Sequence, residues 1–366
     1  MLIENLNKSR GLVAVFLFLV SFTAFAPSLR NDFVWDDIPL IIHHYNSLKL
    51  SNINSKIILR DITDIKELKY FRPIFRVSLI IDHEIWGSPP FGFHLSNTIF
   101  HSTSTVLLYF LVLLILREFR IKRKEPIAFI SSVLFALHPM HVESVSWVSA
   151  RADLLCSIFL FSAFILHILS TRTLAFLIFS SLCFFLSLLS KEVAVVFPIL
   201  IVGFDLICYR RIDSKGLLKY VVYGALTLLY LHLRGRGFVN VPMLSGVRVE
   251  QSASGIYQAW EIISTLLSSY LFYIIKLVFP FQFNAFIASA SKELYYVIAS
   301  VFVILLLCLV GFISIRKREC LDAYAIFWVF VTIGPPSLLA VLAMGAAPLA
   351  ERFTYIPSAG FCMLIG

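Results

Sequence analysis

The chain has 366 residues, is 59% hydrophobic and is only 14% charged, which is too little charge to clothe a water-soluble domain of this size. Its formal charge of +9 is not the footprint of a nucleic-acid binder. The basic residues fall in short clusters between apolar runs (Lys8 and Arg10, Arg117 to Lys124, Arg210 and Arg211, Arg316 to Arg318), where cytoplasmic anchors of membrane helices sit.

Several apolar runs reach 17 residues or more, the length that crosses hydrocarbon. The first, about 11–28, follows a short basic flank and offers no small-x-small cleavage site before Arg30, so it reads as a retained span and not as a signal peptide. A polar segment covers about 29–92, with an amphipathic second half. Spans are then expected at about 94–117, 126–140, 153–170, 173–189, 192–209 and 217–233. A loop over 234–255 leads to an apolar stretch at 256–289, followed by spans at about 294–315 and 322–343 and a last helix near Pro357 that the chain end cuts off. The expected fold class is all-α: one polytopic transmembrane helical bundle of about 10–11 spans. Residues 1–366 form a single domain in this reading.

The positive-inside rule puts the clusters at 8–10, 117–124, 210–219 and 316–318 on the cytoplasmic side. The segment 29–92 then becomes a large first extracytoplasmic loop, facing the same way as the turns near 138–151, 190–192, 234–255 and 351–360. A single crossing by 256–280 would put Arg316–Arg318 on the wrong side, so 256–289 is expected to cross twice or to dip and return, with Pro280, Gln282 and Asn284 marking the turn. The six cysteines include no CxxC pair and mostly lie in apolar runs; they read as small core hydrophobes, with no disulfide framework or zinc site implied.

Ionisable groups in or beside a membrane are costly when unpaired and mark function. Here they gather at the outer helix ends. Asp36 and Asp37, in Phe33-Val34-Trp35-Asp36-Asp37, are adjacent carboxylates whose repulsion raises one pKa and suits it to general-base work. Arg72, in Tyr70-Phe71-Arg72-Pro73, is a candidate anion contact. His138-Pro139-Met140-His141-Val142-Glu143 is followed by Trp147, Arg151 and Asp153. Its histidines and glutamate are compatible with a divalent metal, though not in zinc-hydrolase spacing, and more simply line a cleft. Lys191 and Glu192 share a tight hairpin, and Glu351, Arg352 and Tyr355 open an outer-face helix where Arg352 could clamp a phosphate. Each motif alone also fits an ordinary capped turn. Carboxylates joined to cations at a membrane surface suit glycosyl transfer from a polyprenyl-phosphate sugar. The cations hold the phosphate leaving group, and a carboxylate takes the acceptor proton.

Together these motifs resemble the C-type glycosyltransferase superfamily, and more closely its transmembrane and tetratricopeptide-repeat O-mannosyltransferases. The resemblance rests on FVWDD (33–37), YFRP (70–73), FGFHLSN (91–97), LHPMHVESVSWVSARADLL (137–155), LSKEVAVVFPILIVGFDL (189–206) and AERFTYIPSAGF (350–361), in family order over nearly the whole chain. It implies an inverting transfer of a sugar, mannose by analogy, from a polyprenyl- or dolichyl-phosphate donor to a hydroxyl of a protein or glycan acceptor. Asp36 is the implied general base, with Asp37 positioning it. Arg72, Lys191 and Arg352 are the implied donor-phosphate contacts. His138, His141, Glu143, Arg151, Asp153, Glu192, Glu351 and Tyr355 are expected to line the cleft. No cofactor is implied with certainty, and a divalent metal stays open. The expected setting is a bacterial plasma membrane or the endoplasmic reticulum, with the site on the extracytoplasmic or lumenal face. The family's tetratricopeptide repeats are missing from this sequence. Two rival readings are a flippase or transporter of a lipid-linked glycan, which predicts ionisable residues near mid-membrane, and a membrane metalloprotease using His138, His141 and Glu143.

Overall fold

The computed structural model describes residues 2–42, 71–171, 173–209, 214–237, 255–284, 287, 289–342 and 348–366. The amphipathic half of the first polar segment, over 43–70, lies outside the described residues, as do Tyr70, Arg210, Arg211, most of the loop after Arg234 and the side chain of Arg236.

The described residues form thirteen α-helices and no multi-residue strand. They are α1 (Leu2–Phe25), α2 (Pro73–Trp86), α3 (Pro90–Glu118), α4 (Lys124–Leu137), α5 (Val142–Ser146), α6 (Arg151–Leu169), α7 (Leu174–Ser190), α8 (Phe197–Tyr209), α9 (Ser214–Gly237), α10 (Gly255–Val278), α11 (Leu294–Lys317), α12 (Cys320–Val341) and α13 (Tyr355–Ile365). Eight are long and apolar enough, with adjoining turns, to cross a membrane. In a bilayer only helices or closed barrels satisfy every backbone group, so the chain is an integral multi-pass membrane protein. The expectation of about 10–11 spans is reached only by adding the bent pair α4–α5, the shorter apolar α7 and α13.

Proline and glycine set the breaks. α4 stops at Leu137 because Pro139 lacks an N–H and crowds the preceding turn; the path resumes after a 50° bend that leaves His138 at the elbow. Gly87 closes α2 at φ +71, a left-handed conformation that glycine adopts without steric cost. Gly360 lets α13 press on α12: a β-carbon there would lie 2.7 Å from the Trp328 ring and 2.9 Å from the Ala325 carbonyl, the small-residue contact by which membrane helices approach. Trp328 Nε1 donates to the Ile356 carbonyl across the same crossing at 3.0 Å.

α3 carries a buried polar stripe, His94, Asn97, His101, Ser104 and Thr105. The spacing of three and four puts these on one helix face, and Ser104 meets Ser157 of α6 at 2.8 Å.

Among the described residues, the segments that carry or adjoin the basic clusters share one end of the bundle. Arg10 pairs with Glu125 at 2.9 Å, Tyr209 donates to Glu118 at 3.2 Å, and Cys320 lies 4.0 Å from the Ile207 carbonyl. The ionisable motifs singled out in the sequence lie at the other end.

Within 256–289 the described residues hold one helix, α10, which ends at Val278. Lys276 Nζ donates to the carbonyls of Phe281 at 3.0 Å and Gln282 at 2.7 Å, turning the chain just past Pro280. Lys292 then pairs with Glu261 at 2.5 Å. Glu261 stands near the start of α10, about 22 Å of helix from Lys276.

Candidate active site

Pro27 opens a 3-10 turn at Ala26–Arg30 that ends α1, and the chain runs irregularly to Asp36 and Asp37. Asp37 is fully buried and both its oxygens are occupied. One accepts from the Val34 N–H at 3.2 Å; the other accepts from the Ser149 N–H at 2.8 Å and from the Ser149 hydroxyl. Asp37 thus pins the first loop to the turn before α6. Asp36 is only partly buried.

Burial raises the pKa of both carboxyls above the ordinary 3.8. For Asp36 the Arg352 guanidinium opposes that rise. For Asp37 the bonds from Ser149 and Val34 oppose it, and repulsion by Asp36 is the smallest influence. The sequence had suggested mutual repulsion as the cause; desolvation is the larger one.

The three cations expected to hold phosphate are each engaged by a carboxylate. Arg72 grips Glu192 with two bonds, 2.6 Å and 3.1 Å. Lys191 Nζ sits between both oxygens of Asp153 at 2.5 Å and 2.6 Å. Arg352 bonds Glu143 through its guanidinium and also, at 2.7 Å, through its backbone N–H. The adjacent Glu351 turns the other way, to Lys276 at 2.8 Å and the Asn284 N–H at 3.1 Å. Lys191 has an extended backbone and its N–H caps α7 through the Ser187 carbonyl at 3.0 Å. Glu192 then opens a 3-10 turn, and the two side chains take different partners.

Aromatic rings tie these pairs together. The Arg352 guanidinium lies 5.0 Å from both Trp147 and Phe353, and Lys191 Nζ lies 4.8 Å from Phe353. Trp35 meets Trp147 edge-on at 5.6 Å. Asp36, Arg352, Lys191, Arg72 and Glu192 feel one another's charge, so residues distant in sequence converge in one place.

Much of the expected cleft lining is buried in the isolated chain. His138, His141, Arg151, Asp153, Glu351 and Tyr355 are buried and stand behind the surface; Glu143 and Glu192 keep partial access. His141 donates to or accepts from Ser358 at 2.8 Å, and its ring packs on His101, Phe135 and Tyr355. His138 meets the Leu277 carbonyl at 3.2 Å. Arg151 is an internal brace: it pairs with Asp82 at 2.6 Å, bonds Asn97 at 2.7 Å and reaches the Phe93 carbonyl at 2.9 Å. Lys191 is also buried. Among the described residues no group of three or more His, Cys, Asp or Glu is placed to hold a metal ion.

No family model matches the chain, and no solved structure matches it. Curated proteins do. The protein O-mannosyl-transferase F38B6.6 of Caenorhabditis elegans is 23% identical over 364 residues, 98% of this chain and 51% of that protein. Protein O-mannosyl-transferase TMTC3 of Mus musculus is 32% identical over 143 residues, 38% of this chain and 15% of its own length. TMTC2 of Homo sapiens is 28% identical over 160 residues, 42% and 18% of the two chains. The chain resembles the protein O-mannosyl-transferases. It spans about half the length of the nematode relative and less than a fifth of the two mammalian ones.

Within that resemblance, sequence reasoning passed over Asp82, Asn97 and Lys276. Asn97 stood in the quoted FGFHLSN motif without a role. Lys276 interrupts the apolar second half of α10, and a charge in such a run is itself the signal that a buried partner exists; Asp82 sits among Arg76, His83 and Glu84 in α2, where no such signal stands out.

Proposed function

We propose that this chain is the membrane domain of a glycosyltransferase that moves a mannosyl group from a polyprenyl-phosphate donor to a protein hydroxyl on the non-cytoplasmic face. The observation that carries the reading is the division of labour between adjacent carboxyls. Asp37 is fully buried and accepts three hydrogen bonds from Val34 and Ser149, whereas Asp36 is accessible, desolvated enough for a raised pKa, and within the field of Arg352.

In this mechanism the acceptor hydroxyl gives its proton to Asp36 as its oxygen attacks the anomeric carbon. The bond from that carbon to the phosphate oxygen breaks with its electron pair on oxygen, and the anomeric configuration inverts. Arg352 and Arg72, the more accessible of the paired cations, meet the leaving phosphate by sharing their guanidinium N–H groups with Glu143 and Glu192. Lys191 acts through its field. Asp37 is a positioning residue. Names of the relatives support the sugar and the protein acceptor; the grouping of the basic clusters at the opposite end supports the face.

The deciding test is Asp36→Asn in the purified full chain, assayed with a polyprenyl-phosphate mannose donor and a Ser/Thr peptide. Transfer should drop by about 10²–10⁴-fold, the usual worth of a general base, with unchanged yield and thermal midpoint. Transfer at the wild-type rate would remove Asp36 from the mechanism.

A further inference from the structure

Trp35 stands out at this site for two independent reasons. Its φ is +50, a left-handed conformation that is a genuine outlier for a bulky residue and that persists where the surroundings over-determine it, commonly at ligand sites. Its indole is nevertheless 54% exposed, so packing of the ring is not what holds the strained backbone. Bonds on either side hold it: Val34 accepts from the Asp37 N–H at 3.0 Å, Trp35 from the Ile38 N–H at 3.1 Å, and Asp37 locks the loop to Ser149. The indole is thereby presented at 87° to Trp147, whose ring carries the Arg352 guanidinium. Asp36, the next residue, feels that same guanidinium.

We infer that Trp35 is the stacking platform for the pyranose ring of the donor sugar. A hexose has an apolar C–H face that packs on an aromatic ring and a rim of hydroxyls that seek polar partners; an indole beside a carboxylate offers both. Position selects the donor sugar over the acceptor. If the donor phosphate meets Arg352 above Trp147, the ring bonded directly to that phosphate falls on the adjacent, perpendicular Trp35, with its anomeric carbon turned towards Asp36. A tryptophan serving only as an interfacial anchor needs no left-handed backbone.

The inference rests on the transferase reading above, and its test separates the two. Trp35→Gly, Trp35→Ala and Trp35→Phe are made in the full chain, and steady-state constants are measured with a short-chain polyprenyl-phosphate mannose and a Ser/Thr peptide. Donor binding is also measured at equilibrium in the Asp36→Asn background. Trp35→Ala and Trp35→Gly should weaken donor binding and raise the donor KM about tenfold, the loss of one stacking contact. The acceptor KM should stay unchanged, and Trp35→Phe should restore most of the donor affinity. Trp35→Gly should also match or exceed the wild-type thermal midpoint, because glycine relieves the left-handed backbone; a structural role would lower it. Unchanged donor binding in Trp35→Gly, a rise confined to the acceptor KM, or a fall in thermal midpoint that accounts for the loss would each overturn the platform. If Asp36→Asn is inactive while Trp35→Gly binds donor normally, the platform alone fails; if Asp36→Asn transfers normally, the transferase mechanism fails first.

Discussion

The two ends of the helical bundle use the same residue types for opposite purposes. At the basic end, two arginine pairs stay wet: Arg10 and Glu125 keep 31% and 42% of their side-chain surface, and Arg117 and Glu118 keep 38% and 22%. At the other end, Lys191 and Asp153 keep 5% and 3%, and Lys276 and Glu351 keep 9% and 6%. A wet pair is worth about 0–1 kcal/mol, so those arginines contribute little as bonds. A buried pair is different. Removing one partner leaves an uncompensated charge at about 3–5 kcal/mol, although replacing both by apolar groups is often tolerated. The difference teaches that the buried end is an electrostatic frame fixed before any substrate arrives, with Asp36 and Arg352 at its accessible edge.

The strongest way to break this comparison is Lys191→Ala, which should destabilise the protein by about 3–5 kcal/mol, read as a fall in thermal midpoint and in detergent-stable yield. The double variant Lys191→Met with Asp153→Leu should recover much of that stability. Equal behaviour of Lys191→Ala and Arg10→Ala would end the distinction between the ends. Next in size, Arg352→Ala should raise the donor KM by about 10–100-fold, the worth of a charge-assisted hydrogen bond. Arg316→Ala with Lys317→Ala should leave it unchanged.

The same Arg352 substitution sharpens the role of Asp36 through pH. A general base must be ionised, so kcat/KM falls as pH drops through the pKa of Asp36, which burial holds above 3.8. Arg352 pulls that pKa down; its removal should therefore move the acid limb to higher pH, and Arg352→Lys should restore the limb. A limb that stays in place in Arg352→Ala would separate Asp36 from the observed titration. Smallest of all, Arg10→Ala should change stability by less than about 1 kcal/mol, the size of an exposed pair, as measured by thermal unfolding.

Much was legible in the sequence. Uninterrupted apolar runs can only become helices in a bilayer, because no water is there to satisfy the backbone. Basic clusters between runs assigned the ends, and in the structure Arg10 does meet Glu125 while the end of α8 meets the start of α12. Acids and cations concentrated at the opposite helix ends named the residues that converge there. The turn past Pro280 was not legible in its contacts, since it depends on Lys276 capping the Phe281 and Gln282 carbonyls, and the Lys292–Glu261 pair was not legible either.

Sequence alone thus determined the helices, the two ends and the cast of ionisable groups, because hydropathy and charge act locally and one residue at a time. Only the tertiary structure decided the partners. Lys191 bypasses its neighbour Glu192 for Asp153, 38 positions away; Arg72 takes Glu192 across 120; and Arg352 takes Glu143 across 209. It also decided that Arg151 is a brace and Asp37 a clasp, leaving Asp36 with the accessible oxygens. Those outcomes follow from burial and direction, which arise only once helices pack and water is excluded, and in that setting a charge is held by the partner whose geometry satisfies it.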